Sequence, residues 1–271
     1  MKLRGRVALV TGTSPNIGGG IAEGLAAEGA RVACVDVDPT NAEDCANAIR
    51  KTGGTALGVQ CDITNGTAVD KLIERVTDEL GLVDLLVTNA AIFVQKGVLD
   101  MEHAEWTRQL AVILDGAFLC TRAVTSRLVA ARRPGAIVNV ISTAGHQGQP
   151  GNVGYCTGKA GLLNFTRSVA MELAPHGIRV NSVTPTATDP SEGSDRAVRW
   201  GRAPLPARVA AIFEGFRKRV PMQQLPVPSD YANAVAFLAS DEARFITGID
   251  LRVDAGAVAR YWAWDPSATK G

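Results

Sequence analysis

Five cysteines, three histidines and no C-x-x-C pair leave the chain without the makings of a structural zinc site or a disulfide framework. Reduced, buried thiols are the expectation for Cys34, Cys45, Cys61, Cys120 and Cys156. Charge of one sign is also missing: 28 Lys and Arg face 27 Asp and Glu, a net +1. That balance gives no electrostatic footprint for nucleic acid or an anionic membrane surface. No apolar run approaches the roughly 18 residues that cross a bilayer. The start, Met1-Lys2-Leu3-Arg4-Gly5, has no apolar signal-peptide region. A cytoplasmic chain acting on a small molecule, with neither membrane nor nucleic acid as partner and no metal, is expected. Internal repeats, linkers and low-complexity runs are absent too, so one domain is expected.

What is present is enough apolar sequence for a core: 46% of 271 residues are hydrophobic and 20% charged, which excludes disorder for most of the chain. Short β-branched runs alternate with longer amphipathic ones. Strands are predicted at Arg6–Thr11, Arg31–Val37, Thr55–Cys61, Val83–Thr88, Ala136–Ile141, Ile178–Val183 and Asp250–Val253. Helices are predicted through Glu28, over Asn41–Lys51, Thr67–Leu80, Glu102–Ala131, Val153–Leu173 and Ser229–Ala239. Runs such as VALV and IVNVI are apolar on both faces, as a sheet covered by helices on each side requires. The expectation is an α/β fold: one doubly wound Rossmann domain over residues 1–256, with a mostly parallel seven-stranded sheet and helices on both faces. Its ligand crevice belongs at the carboxyl ends of the strands, where strand order reverses. Residues 186–207 lack periodicity and read as part of a substrate lid over 186–220.

Directly after the first strand comes Thr11-Gly12-Thr13-Ser14-Pro15-Asn16-Ile17-Gly18, opening a helix. A tight turn with little side chain, followed by helix N–H groups, suits a pyrophosphate. Gly12, Ser14, Asn16, Ile17 and Gly18 are therefore candidate cofactor contacts. Asp36 ends the second strand, 18 residues past Gly18. A carboxylate there accepts ribose hydroxyls and repels a 2′-phosphate, which favours NAD over NADP. Asp62 and Ile63, after the third strand, are candidates at the adenine; for Asp62 the competing reading is a helix N-terminal acid.

Tyr155-Cys156-Thr157-Gly158-Lys159 lies in a helical run, so Tyr155 and Lys159 share a face at i, i+4. Ser142 closes the fifth strand 13 residues earlier. With the glycine-rich turn, Asp62, Asn89-Ala90-Ala91, Val180-Asn181-Ser182-Val183 and Thr247-Gly248, this order and spacing resembles the short-chain dehydrogenase/reductase family over about residues 3–256. The resemblance implies hydride transfer between nicotinamide and a secondary alcohol or ketone, with Ser142, Tyr155 and Lys159 as the catalytic set. It also implies cofactor contacts from Asn89, Ala90, Ala91, Tyr155, Lys159, Pro185 and Thr186, and a homotetramer. The chemistry of the pair is clear: a free tyrosine pKa of about 10 must fall by ~2–3 units, about 3–4 kcal/mol, for the phenol to act as base near neutrality. An ammonium ~5 Å away supplies about 3 kcal/mol at an effective dielectric near 20.

Four positions depart from the family pattern, one of them Thr186, which replaces the glycine of the family's Pro-Gly after the sixth strand. Asn16 replaces the middle glycine of the turn, and asparagine tolerates positive φ best among the other residues. Ile113 stands where the family's helix asparagine anchors a proton-relaying water, and isoleucine has neither donor nor acceptor. Pro190 stands where a carboxamide-binding threonine often sits; Thr188 takes that role in the expectation. His146, Gln147 and Trp200 are candidate substrate contacts. The lid carries Arg196, Arg199, Arg202, Arg208, Arg217, Lys218 and Arg219, which read either as a solvated face or as a partner for a substrate anion. The tail, 257–271, holds Tyr261, Trp262 and Trp264, expected at a subunit interface. The leading expectation is an NAD-dependent dehydrogenase for a cyclic or aromatic secondary alcohol. The alternatives are a 3-oxoacyl-thioester reductase, against which Asp36 argues, and a non-catalytic dinucleotide-binding scaffold, suggested by Ile113.

Overall fold

Alternate residues of β1 (Val7–Thr11) point into different layers. Ala8 and Val10 pack with residues of α1 (Ile17–Ala27), α2 (Pro39–Lys51) and α9 (Pro228–Ala239). Val7 and Leu9 pack with residues of α3 (Gly66–Leu80), α5 (Gly116–Ala130) and α6 (Val153–Leu173). The computed structural model describes residues 1–261 apart from Leu205, together with 263 and 265. The remaining elements are β2 (Arg31–Asp36), β3 (Ala56–Gln60), β4 (Leu85–Thr88), α4 (His103–Leu110), β5 (Gly135–Val140), β6 (Ile178–Pro185), α7 (Ser191–Arg199), α8 (Ala207–Arg217) and β7 (Asp250–Val253).

The seven strands form one sheet in the order β3-β2-β1-β4-β5-β6-β7, and every pairing is parallel. Strands β1, β4 and β5 are buried along their whole length, which explains their mostly apolar sequence. Each fully buried Val or Leu contributes about 1.5–3 kcal/mol against exposure. Because β1 lies between β2 and β4, the chain winds outward in opposite directions on its two sides, and the crevice opens between the carboxyl ends of β1 and β4. Among the described residues no helix is long and apolar enough to cross a membrane.

Local chemistry sets the helix ends. Asp38 accepts from Thr40 N at 2.9 Å with Pro39 in the first helical turn, and Asn65 accepts from Ala68 N at 3.0 Å. Two stretches differ from the sequence reading. The helix expected over 102–131 is broken by a π-turn at Ala111–Asp115 between α4 and α5. The aperiodic stretch contains α7, whose buried face is Gly193, Arg196 and Ala197. An arginine at the centre of that stripe hides the helix from any search for apolar spacing.

Candidate active site

The turn after β1 is shaped by close backbone contacts. Gly12 has φ +72°, and a Cβ there would lie 2.8 Å from Ala90 Cα. A Cβ on Gly18 would lie 2.0 Å from Gly12 O and 2.6 Å from Asn89 Nδ2. Neither position admits a side chain. The end of β4 straps the turn down: Asn89 Nδ2 donates to Thr11 O (3.1 Å) and Gly12 O (2.8 Å), while Thr11 Oγ1 accepts from Asn89 N and Ala90 N. Asn16 is the N-cap of α1 with φ −95° and makes no side-chain cap bond. The left-handed conformation considered for Asn16 is thus not used, and the turn closes without it.

Two adjoining cavities run along the strand ends. One of about 170 Å³ is lined by Gly12, Asp36, Asp62, Ile63, Ala90, Ala91 and Arg108, among others. The next, of about 230 Å³, has Gly12, Ser14, Asn16, Ile17, Gly18 and Asn89 on its floor and Ser142, Tyr155, Lys159, Pro185 and Thr186 beyond. They share Gly12, Ala90 and Ala91 and so form one groove. Asp36 accepts from Asp38 N through Oδ1 at 3.0 Å. Asp62 Oδ1 accepts from Thr64 N and Thr64 Oγ1, which hold its carboxyl below the usual range; it lines the cavity and stabilises its own turn.

At the far end, Lys159 Nζ lies 5.7 Å from the centroid of the Tyr155 ring and donates to Val140 O at 2.6 Å. Lys159 is 2% exposed, and burial pushes its ammonium down to about 7. Burial pushes the Tyr155 phenol up, against a hydrogen bond with Ser142 that pulls it down. The sequence reading had an ammonium acidifying the phenol; burial of the side chain itself works against that charge. Separately, Ile113, 1% exposed in the π-turn, sits against Gly158, where a Cβ would meet its Cδ1 at 3.0 Å.

Four sequence-predicted contacts are not in the groove lining. Thr188 turns its hydroxyl to Tyr231 Oη (3.1 Å) and Thr186 O (3.3 Å), outside the groove lining. Trp200 lies behind the phosphate turn, its ring 3.1 Å from where a Gly19 Cβ would be, and lines a separate cavity with Glu23 and Asp44. His146 faces Thr184 and Asp250. Gln147 Nε2 reaches Ala257 O at 3.4 Å, toward the tail. Five of the lid cations are committed within the chain: Arg196 and Arg199 to Glu23, Arg202 to Asp44, Arg217 and Lys218 to Glu214. Those pairings weigh against a substrate anion, although Arg196 itself is buried rather than solvated. The Arg208 side chain, Leu205, Trp262 and Trp264 lie outside the described residues.

Sequence reasoning did not single out a neighbour of the Tyr155 ring or a charged residue of the groove. Phe93 meets the Tyr155 ring edge-on (centroids 5.5 Å apart, 81° between planes) and is 56% exposed. Its signal was its place just past Asn89-Ala90-Ala91. Arg108 reaches the Asp62 end from α4, far along the chain, and no local pattern marks it.

The residues fit a nicotinamide dinucleotide. The cradle at Gly12 and Gly18 excludes any Cβ, the N-terminus of α1 opens onto it, and a carboxylate stands at one end of the groove. A family model described as "Enoyl-(Acyl carrier protein) reductase" matches residues 12–258. A cis-4-hydroxycyclohexanecarboxylate dehydrogenase from Sinomonas cyclohexanicum is 40% identical over 94% of this chain and 97% of its own. A 3-oxoacyl-[acyl-carrier-protein] reductase from Synechocystis is 36% identical over 94% and 98%. The crystal structure of a short-chain type dehydrogenase/reductase from Mycobacterium marinum superimposes with a TM-score of 0.83 at 31% identity, covering 96% of this chain and 97% of that one.

Proposed function

The chain belongs to the short-chain dehydrogenase/reductase family, and as an oxidoreductase of that family we propose that it interconverts a cyclic or aromatic secondary alcohol and its ketone with NAD. The observation that carries this reading is the meeting of Ser142, Tyr155 and Lys159 in a groove continuous with the Asp36 cavity. When bound, the nicotinamide ring supplies or accepts the hydride. Tyr155 exchanges the hydroxyl proton with the substrate oxygen, and Ser142 hydrogen-bonds that oxygen. Lys159, when charged, favours the phenolate. In ketone reduction the neutral phenol is the acid, a state that its burial supports; alcohol oxidation needs the phenolate.

NAD rather than NADP is supported by the Asp36 carboxylate, which would face a 2′-phosphate with like charge. A ring substrate is supported by Phe93, exposed beside the Tyr155 ring, and by the cyclohexane substrate named for the Sinomonas relative. The second reading, reduction of a 3-oxoacyl thioester, is favoured by the Synechocystis relative. The lid, the aromatic tail and a homotetramer belong to the same reading, with the tail at a subunit contact.

The test is a panel of secondary alcohols with NAD⁺ and NADP⁺, read by absorbance of the reduced coenzyme. Ring alcohols are expected to turn over, with kcat/KM about tenfold or more higher for NAD⁺, equivalent to about 1.4 kcal/mol. A preference for NADP⁺ overturns the cofactor assignment. Turnover of 3-oxoacyl thioesters alone replaces the first reading with the second.

A further inference from the structure

Ser142 opens a single 3₁₀ turn, Thr143–Gly145, in which Ser142 O accepts from Gly145 N at 2.8 Å and Thr143 O from His146 N at 3.0 Å. Ser142 Oγ accepts from Ala144 N at 3.2 Å. The turn presses on α6: a Cβ on Gly145 would lie 3.0 Å from the carbonyl carbon and oxygen of Lys159. One short turn therefore bears on Ser142 and on the backbone that carries Lys159. Packing this tight passes any displacement of the turn directly to both.

On the sheet side the turn is held by a polar cluster. Asp250, the first residue of β7, pairs in register with Ser182 of β6. Its Oδ1 accepts from Ser182 Oγ (2.6 Å) and Thr184 Oγ1 (2.9 Å). Its Oδ2 lies 3.0 Å from Thr184 Oγ1 and 3.2 Å from His146 Nε2, which is also 3.1 Å from Thr184 Oγ1. The side chains of His146 and Asp250 are 17% and 9% exposed. The proton inventory is closed. Both hydroxyls commit their hydrogens to a carboxylate that only accepts, so His146 Nε2 must carry the hydrogen that it shares between Asp250 and Thr184. This fixes the imidazole tautomer and ties three segments together: the turn after β5, the end of β6 leading to Pro185 and Thr186, and the start of β7.

We propose that His146 is a positioning residue. Its Nε2–H bond to Asp250 clamps the turn against α6 and thereby sets the placement of Ser142 relative to Tyr155. The proposal rests on the roles assigned to Ser142 and Tyr155 above. It explains why a histidine four residues past Ser142 faces the sheet rather than the groove.

His146→Ala is expected to lower kcat by about tenfold or more through misplacement at the reacting centre, with KM for the alcohol and NADH affinity by fluorescence little changed. His146→Gln, whose amide N–H reaches about as far as Nε2, is expected to recover most of that loss. An unchanged kcat in His146→Ala overturns the proposal, as does a glutamine variant no better than alanine. A raised KM with kcat retained overturns it too and returns His146 to the substrate. A readout independent of substrate is the proton NMR signal of His146 Nε2–H: it should be exchange-protected in the wild type, absent in His146→Gln and moved in Asp250→Asn. Its absence from the wild type removes the clamp. Full turnover in Tyr155→Phe sinks the catalytic assignment instead, while the NMR signal still reports on the clamp.

Discussion

At the phosphate end of the groove the decisive contacts are made by backbone, at Gly12 and Gly18 and in the carbonyls that Asn89 holds. Four side chains that the sequence offered for the substrate end lie outside the groove, and each answers to a partner far away in sequence. His146 goes to Asp250, Thr188 to Tyr231, Arg196 to Glu23 and Trp200 to the back of Gly19. A backbone cradle needs particular residue types at fixed spacing, so it leaves a mark in the sequence. A side chain that chooses between groove and core leaves none until its partner is known.

The largest effect expected from this contrast is at Gly18. Gly18→Ala puts a methyl 2.0 Å from Gly12 O, so NADH affinity should fall by about 100-fold, near 2.7 kcal/mol, in a fluorescence titration. Near-normal affinity would mean that the backbone does not define the cradle.

A smaller effect sharpens the other end. Lys159 drops from an ordinary 10.5 to about 7 on burial, so between those values the unfolded chain binds more protons than the folded one. Wild-type stability therefore carries the full penalty below about pH 7 and recovers as pH rises toward 10.5. Lys159→Met lacks that penalty. In urea melts it should be the more stable protein near neutrality, by on the order of a few kcal/mol, with the gap closing as pH rises. A wild type more stable throughout, with no trend in the difference, would show that the ammonium is better accommodated than its dry surroundings allow.

Much of the fold was legible because short β-branched runs alternate with amphipathic ones, and β1, β4 and β5 stood out further as apolar on both faces. The π-turn was not, since Ala111–Asp115 keeps an apolar helical look while adding a residue to one turn. Helix α7 was hidden by its buried Arg196, whose burial makes sense only with Glu23 and Pro15 O in place. Within the site, Ile113 was recognised as a departure, but the burial of Lys159, which pushes its ammonium down to about 7, depends on packing that no local spacing reports.

The account depends on Tyr155 being the proton-transfer group of a coenzyme-binding groove, and Tyr155→Phe isolates that one hydroxyl. The expected result is turnover reduced by about 100-fold or more with NADH binding, measured by fluorescence on the same preparation, unchanged. Turnover that survives the loss of the hydroxyl would contradict it.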